Sequence, residues 1–199
     1  LMVRLVKGAY WDAEIKRAQE LGLPGFPVFT HKAHTDLSYL ACAHQLLAHT
    51  DIIYPQFATH NAATMGAVLH LSEQAGVPPQ AFEFQRLHGM GERIYQAMRH
   101  NEANPPALRV YAPVGAHRDL LAYLVRRLLE NGANASFVHQ LADPAVSIDM
   151  LLMSPSHMAH QHKQAQPSPI AHPHHLYGPS RNNATGLDLS THLHRAAVE

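Results

Sequence analysis

Short apolar, β-branched or aromatic runs alternate along residues 1–143 with longer stretches that place apolar residues at helical spacing. Leu1–Lys7 (LMVRLVK), Ile52–Thr59 (IIYPQFAT), Phe82–Leu87 (FEFQRL) and Leu108–Val114 (LRVYAPV) have the length and the Gly, Pro or Asn punctuation of strands. Phe26–Thr30 (FPVFT) predicts one more short extended piece. Helices are predicted over Trp11–Leu21, Asp36–Ala48, Ala62–Ala75, Glu92–His100 and His117–Asn131, the last closed by Gly132. In that last helix Leu120, Leu121, Leu124, Val125, Leu128 and Leu129 form a stripe expected to be buried. Repeated strand–helix units predict an α/β fold with a parallel sheet, either doubly wound or part of an eight-unit barrel. In both architectures the carboxyl ends of the strands carry the active site. Lys7, Gly8 and Tyr10 fall there, as do Thr59, His60, Asn61, His88 and Gly89. The alternation dissolves after Asp143. Residues 144–199 hold 6 of the 14 prolines and 8 of the 18 histidines, which predicts a Pro/His-rich linker with at most short helices such as Val146–Leu152.

Composition narrows the classes. A chain of 199 residues with 46% apolar content can bury a substantial core, which excludes global disorder. Fifteen basic residues balance 15 acidic ones with no block of like charge, which argues against a nucleic-acid partner. The single cysteine, Cys42, excludes an intramolecular disulfide and any multi-cysteine zinc site. Beside Leu40, Ala41 and Ala43 it reads as a small buried residue. There is no spanning apolar run and no signal-peptide pattern. The chain opens inside an apolar run, so it is expected to be an internal piece of something longer.

Several groups carry candidate chemistry, each with a plainer reading beside it. Arg4 interrupts an apolar strand: it either lies in solvent on an edge or is compensated at a site. Lys7-Gly8-Ala9-Tyr10-Trp11 follows that strand and favours anions near a helix amino end, although it is no dinucleotide fingerprint. Trp11, taken alone, fits core packing. Thr30-His31-Lys32 and Thr59-His60-Asn61 offer donors to a ligand or caps to the helices that follow. Arg126, Arg127 and Glu130 share the polar side of the last helix at ion-pair spacing. They form either a solvated face or a two-guanidinium grip on a carboxylate. The tail histidines come without cysteine or regular carboxylate spacing, so no metal is expected, and there is no Gly-x-Ser-x-Gly elbow.

Five blocks then appear in order: Arg4-Leu-Val-Lys-Gly-Ala-Tyr-Trp11, Tyr54-Pro-Gln-Phe-Ala-Thr-His-Asn61, Phe82-Glu-Phe-Gln85 with Leu87-His-Gly-Met-Gly91, Arg109-Val-Tyr-Ala-Pro-Val-Gly115, and Tyr123-Leu-Val-Arg-Arg-Leu-Leu-Glu-Asn-Gly-Ala-Asn134. Together they resemble the proline dehydrogenase domain of the bifunctional proline utilization A family. The stretch from His175-Leu-Tyr-Gly178 to Gly186-Leu-Asp-Leu189 resembles the lead into that family's aldehyde dehydrogenase domain. The resemblance implies strands five to eight and helix eight of a (βα)8 (TIM-type) barrel over residues 1–143, then the linker over 144–199. It implies FAD-dependent oxidation of L-proline to Δ1-pyrroline-5-carboxylate, with electrons passed to membrane quinone. NAD would serve only an aldehyde dehydrogenase domain outside this chain, which would oxidise glutamate semialdehyde. A cytoplasmic, peripherally membrane-associated homo-oligomer is implied for the parent, with no nucleic-acid role for this segment and an inactive isolated chain.

Residue by residue, Arg4 matches the catalytic arginine beside the flavin. Val6, Lys7, Gly8, Ala9, Trp11, Thr30, His31, Lys32, Thr59, His60 and Asn61 match cofactor contacts, with Glu130 supporting the substrate arginines at the same site. Tyr10, Leu87, Tyr111, Arg126 and Arg127 match the substrate pocket. The alternative is a non-catalytic half-barrel acting through protein or metal contacts of its His-rich tail, and a flavin barrel for another cyclic amino acid such as hydroxyproline is a further option.

Overall fold

A computed structural model describes residues 1–8, 10–132, 143–151, 153–165, 170–184, 186–187, 189–190 and 192–198. Four strands, β1 (Met2–Leu5), β2 (Tyr54–Ala58), β3 (Glu83–Leu87) and β4 (Ala107–Tyr111), pair in parallel and in chain order. The helices between and after them are α1 (Trp11–Glu20), α2 (Lys32–Ala48), α3 (Ala62–Gln74), α4 (Glu92–Asn101) and α5 (His117–Gly132).

Alternation along the strands sorts the sheet into two unlike faces. Phe57 and Phe84 point to one side, where they meet Phe82 and the buried residues Tyr39, Ala43 and Leu47 of α2, Met65 and Val68 of α3, and Tyr95 and Met98 of α4. Phe82 meets Phe57 and Phe84 edge-on and Phe57 meets Phe84 at a tilt, with centroids 5.8 to 6.2 Å apart, and Phe84 also meets Tyr95. The register places Arg4, Gln56 and Glu83 in one row of the other face, and Gln85 and Arg109 in the next. That face is polar.

The sheet is strongly curved towards its polar side. Strands about 4.8 Å apart put β1 and β4 roughly 14 Å from each other in a flat sheet. Yet the Arg4 guanidinium carbon lies 4.5 Å from the centre of the Tyr111 ring, so the edge strands tilt their polar faces together.

Most element positions follow the hydrophobic pattern, and the differences have local causes. Phe26–Thr30 forms no strand, and β1 pairs directly with β2, so the sheet has four strands. Ile52 and Ile53 belong to a turn whose amides bond to the His49 carbonyl, and the strand starts where Tyr54 N donates to Leu1 O. α2 begins at Lys32, four residues before the expected Asp36, because Asp36 holds Lys7 and Lys32 and organises that first turn. β4 stops at Tyr111, two residues before Pro113, whose ring nitrogen has no proton to give. Cys42 is exposed rather than buried, since α2 packs through Tyr39, Ala43 and Leu47. The α5 stripe is not buried either: Leu121, Leu124 and Val125 remain 54%, 46% and 43% exposed, because α5 follows the edge strand and no described element covers that side. Leu128 and Leu129 lie outside the described side chains.

Among the described residues after 143, short helices are joined by contacts with the preceding units. The expected Val146–Leu152 helix reduces to α6 (Ile148–Leu151), while α7 (Pro155–Ala165) packs on α2 with Ala159 buried, and α8 (His192–Ala196) follows. Residues 171–184 and Gly186 fold back over the carboxyl end of α1. Asn183 Nδ2 donates to Gln19 O at 2.6 Å, Gly186 N to Leu21 O at 2.6 Å, and His172 Nε2 lies 3.0 Å from Pro24 O. Pro173 is fully buried in this contact. No described helix is long and apolar enough to cross a membrane.

Candidate functional site

The carboxyl ends of β1 and β2 and the amino ends of α1, α2 and α3 meet at one rim. Gly8 lets the chain turn out of β1 with φ of +81°, a conformation that side chains disfavour. Lys7 Nζ then reaches Asp36 Oδ1 at 2.6 Å and Thr64 Oγ1 at 2.9 Å, which ties β1 to the first turns of α2 and α3. Burial lowers the Lys7 pKa, and the neighbouring Asp36 carboxylate offsets part of that effect. The ammonium of Lys7 is thus committed within the fold, and what the Lys7-Gly8 turn presents outward is backbone. Lys32 joins the same Asp36 from the other side and is more exposed.

Trp11 is not a core residue. It is 42% exposed, and its indole donates to Phe29 O at 2.8 Å, pinning the loop that leads to Thr30, His31 and Lys32. Thr30 and His31 are half-buried at the entrance to α2, and His31 stacks edge-on with His34. Thr59, His60 and Asn61 close β2. Asn61 Oδ1 accepts Thr64 N at 2.9 Å and so caps α3, while Thr59 Oγ1 accepts Asn61 N at 3.1 Å. The capping reading of this triplet is therefore realised for Asn61. His60 does something else: its Nε2 accepts the Leu87 amide at 3.0 Å, so the ring is held to the end of β3 with its proton on Nδ1. Burial, then the Arg127 and Arg86 guanidiniums, lower the His60 pKa and favour this neutral ring.

α5 brings its arginines to the same rim. The Arg126 guanidinium lies over the Tyr10 ring, 5.2 Å from its centre, and Arg127 over Tyr123 at 5.3 Å. Both arginines are half-buried, and Arg126 Nε has no hydrogen-bond partner among the described residues. This helix face is turned to the strand ends rather than to bulk solvent. Arg4 and Tyr111 meet on the polar sheet face below; burial raises the Tyr111 pKa and Arg4 opposes it. Val6 is exposed just past β1, and Leu87 is buried at the end of β3. Ala9 and the Glu130 side chain lie outside the described residues. Among the described residues no three metal-ligating side chains gather.

The structure adds a cluster that the motif reading passed over. Glu83 is only 3% exposed. Its Oε1 accepts Arg109 Nε at 2.6 Å, Gln85 Nε2 at 2.7 Å and Gln56 Nε2 at 2.9 Å, and its Oε2 accepts Arg109 Nη2 at 2.8 Å. Burial alone would raise the Glu83 pKa, but the Arg109 and glutamine donors outweigh it and hold the carboxyl below its ordinary value. A Glu and a Gln alternating with two Phe in FEFQ was the signal available in the sequence.

Comparison with known proteins gives a consistent answer. The family described as Proline dehydrogenase matches residues 1–140. The bifunctional protein PutA of Salmonella typhimurium is 56% identical over 99% of this chain, which spans 16% of that protein. A proline dehydrogenase of Deinococcus radiodurans is 32% identical over 69% of the chain, equal to 39% of its own length. A crystal structure of a proline utilization A variant from Bradyrhizobium japonicum superposes with a TM-score of 0.85 at 57% identity, covering 94% of this chain and 19% of that one.

Proposed function

The chain belongs to the proline dehydrogenase family, and from that premise we propose that it supplies one side of the active site of an FAD-dependent L-proline dehydrogenase. The product is Δ1-pyrroline-5-carboxylate, the first step of proline catabolism. The observation that carries the reading is the pair Arg126 and Arg127 turned towards the strand ends, with a buried guanidinium nitrogen of Arg126 left for a ligand. Two guanidiniums on one helix suit a carboxylate in bidentate fashion.

In this reading the four strands are strands five to eight of a (βα)8 barrel over residues 1–143. The segment 144–199 leads towards an NAD-dependent aldehyde dehydrogenase domain of a bifunctional parent. The rim suits a flavin nucleotide by its chemistry: Arg4 offers a positive charge on the sheet face, the Lys7-Gly8 turn exposes backbone, and Thr30, His31 and Lys32 suit the adenine and phosphate end. Thr59, His60 and Asn61 supply further contacts, joined by Val6, Ala9 and Trp11. FAD, when bound, accepts the two electrons and the hydrogen of the ring carbon next to nitrogen and passes the electrons to membrane quinone. The protein's part is placement. Arg126 and Arg127, supported by Glu130, orient the proline carboxylate, while Tyr10, Leu87 and Tyr111 shape the space around the ring. Holding the ring in one pose makes the transfer effectively unimolecular. The parent works as a homo-oligomer at the inner face of the membrane.

The test is a visible flavin spectrum of the full-length protein before and after anaerobic L-proline. Bound flavin that bleaches with proline supports the reading, and Arg126→Met should then weaken proline binding far more than flavin binding. Flavin that resists proline but bleaches with hydroxyproline changes the substrate. A folded parent without flavin overturns the proposal.

A further inference from the structure

The polar face of the sheet carries two guanidiniums and one carboxylate. Arg4 stands on β1 and Arg109 on β4, with Glu83 on β3 between them; Gln56 and Gln85 fill the face around the carboxylate. The carboxylate is not shared between the two arginines. Arg109 grips both of its oxygens, at 2.6 and 2.8 Å, and the two glutamine amides complete its hydrogen bonds. Arg4 pairs with no carboxylate among the described residues; its contact is the ring of Tyr111, 4.5 Å away.

Register explains the separation. Arg4 lies opposite Gln56, and Gln56 lies opposite Glu83, so the backbones of Arg4 and Glu83 are two strand spacings, or about 10 Å, apart. A glutamate and an arginine have side chains long enough to close that gap in a curved sheet. Arg109 prevents it by taking the carboxylate in a two-pronged arrangement, which a single added donor does not displace. Both glutamines turn their NH2 groups down to Glu83, and Gln56 and Gln85 keep their carbonyl oxygens for other donors.

We propose that Glu83 and Arg109 are a positioning pair that partitions charge on this face. Arg109 neutralises the one carboxylate of the described strands, so that Arg4 remains the net positive charge presented to the flavin. The proposal rests on the flavoprotein reading above. A positive charge near a flavin favours the reduced form, which carries the added electrons; an uncompensated negative charge disfavours it. The pair therefore sets the reduction potential without touching the substrate. Glu83 is buried while the Arg109 side chain is 55% exposed, so salt screens the guanidinium more than the carboxylate.

The two partners make opposite predictions, which a purely structural pair does not. In the full-length flavoprotein at pH 8.5, Glu83→Gln leaves Arg109 uncompensated and should raise the midpoint potential. Arg109→Gln leaves Glu83 to Arg4 and should lower it. The double variant restores neutrality, and its potential should return close to that of the parent. Single shifts of the same sign, or no shift in either, would overturn the proposal. So would a double variant that departs from the parent as far as the singles do. If Glu83→Gln fails to retain flavin, the direction given by Arg109→Gln and the recovery in the double variant decide the question. A parent that binds flavin and bleaches with proline while the potentials ignore these changes sinks the pair alone. A parent without flavin sinks the functional reading beneath it.

Discussion

Tyr39 and Tyr95 are buried in the same core, yet removal of their hydroxyls should act in opposite directions. Tyr95 is 1% exposed, and its hydroxyl donates to Thr59 O at 2.8 Å and Gln85 O at 3.2 Å. It thereby ties the ends of β2 and β3 to α4, directly beneath the Thr59–Asn61 turn. In Tyr95→Phe the Gln85 carbonyl keeps the Thr59 amide, 3.3 Å away, but the Thr59 carbonyl loses its donor inside the core. A lost hydrogen bond of about 1 kcal/mol plus a stranded carbonyl brings the expected cost to roughly 2 kcal/mol. Tyr39 is 3% exposed and its hydroxyl has no partner among the described residues. Tyr39→Phe keeps the ring, including its contact with the Lys7 ammonium, and deletes a group whose unpaired burial costs about 1–3 kcal/mol. That variant should be neutral or more stable. Hydrogen exchange of peptides covering residues 54–61 and 83–88 in the full-length protein reads the difference locally. At about 1.4 kcal/mol per decade, Tyr95→Phe should speed exchange there roughly 30-fold, and Tyr39→Phe should leave it unchanged or slower. Equal losses of protection in the two variants, or none in Tyr95→Phe, would refute the reasoning.

Acid should loosen the rim before the core. His60 has a depressed pKa, so the unfolded chain binds more protons below about pH 6.5 and stability falls as pH drops through that window. Glu83 is also depressed, and its contribution is present above the ordinary glutamate pKa near about 4.3 and lost on further acidification. Exchange at the Leu87 amide measured from pH 7.5 to 5.5 should accelerate beyond the intrinsic trend, and His60→Gln should abolish that excess; an unchanged excess in the variant contradicts the assignment. At the other end of the chain, a Cβ on Gly186 would lie 2.6 Å from the Leu21 carbonyl oxygen, so Gly186→Ala should loosen the hold of this segment on α1. Limited proteolysis in that segment should become faster by about tenfold or more, and an unaltered cleavage rate would show that the tail is held by other means.

How much of this was legible depends on the kind of signal. The strand–helix units were, because their apolar periodicity is what the sheet and helices bury: Phe57, Phe84, Val68 and Leu47 sit where alternation and helical spacing place them. The cap at Asn61 was legible as a polar residue before a helical run. The docking of α7 on α2 was not, since PSHMAHQHKQA has no apolar stripe and Ala159, buried among its described side chains, is small. Nor was the strap over α1, which runs through backbone carbonyls of Gln19, Leu21 and Pro24 that every sequence possesses. The buried commitment of Lys7 was hidden too, because Asp36 and Thr64 lie 29 and 57 residues away. The closeness of Arg4 and Tyr111 depends on sheet curvature, which no single strand encodes.

The alternation within β3 was the most informative sign of where the chemistry lies. Parallel strands covered on both faces by apolar layers read as continuous hydrophobic runs. FEFQRL instead alternates, and two of its polar members are enclosed almost as deeply as its phenylalanines: Glu83 at 3% exposure and Gln85 at 4%. Burying a carboxylate costs several kcal/mol unless it is paired and hydrogen-bonded. Here four N–H groups from three strands are spent on it. Apolar residues of similar volume would stabilise a sheet at least as well. A parallel sheet that keeps one face polar at that cost is accounted for by the active site proposed on that face, beside Arg4 and Tyr111. Phe57 and Phe84 on the opposite face hold the sheet against its helices, so the polar face is not needed for the core.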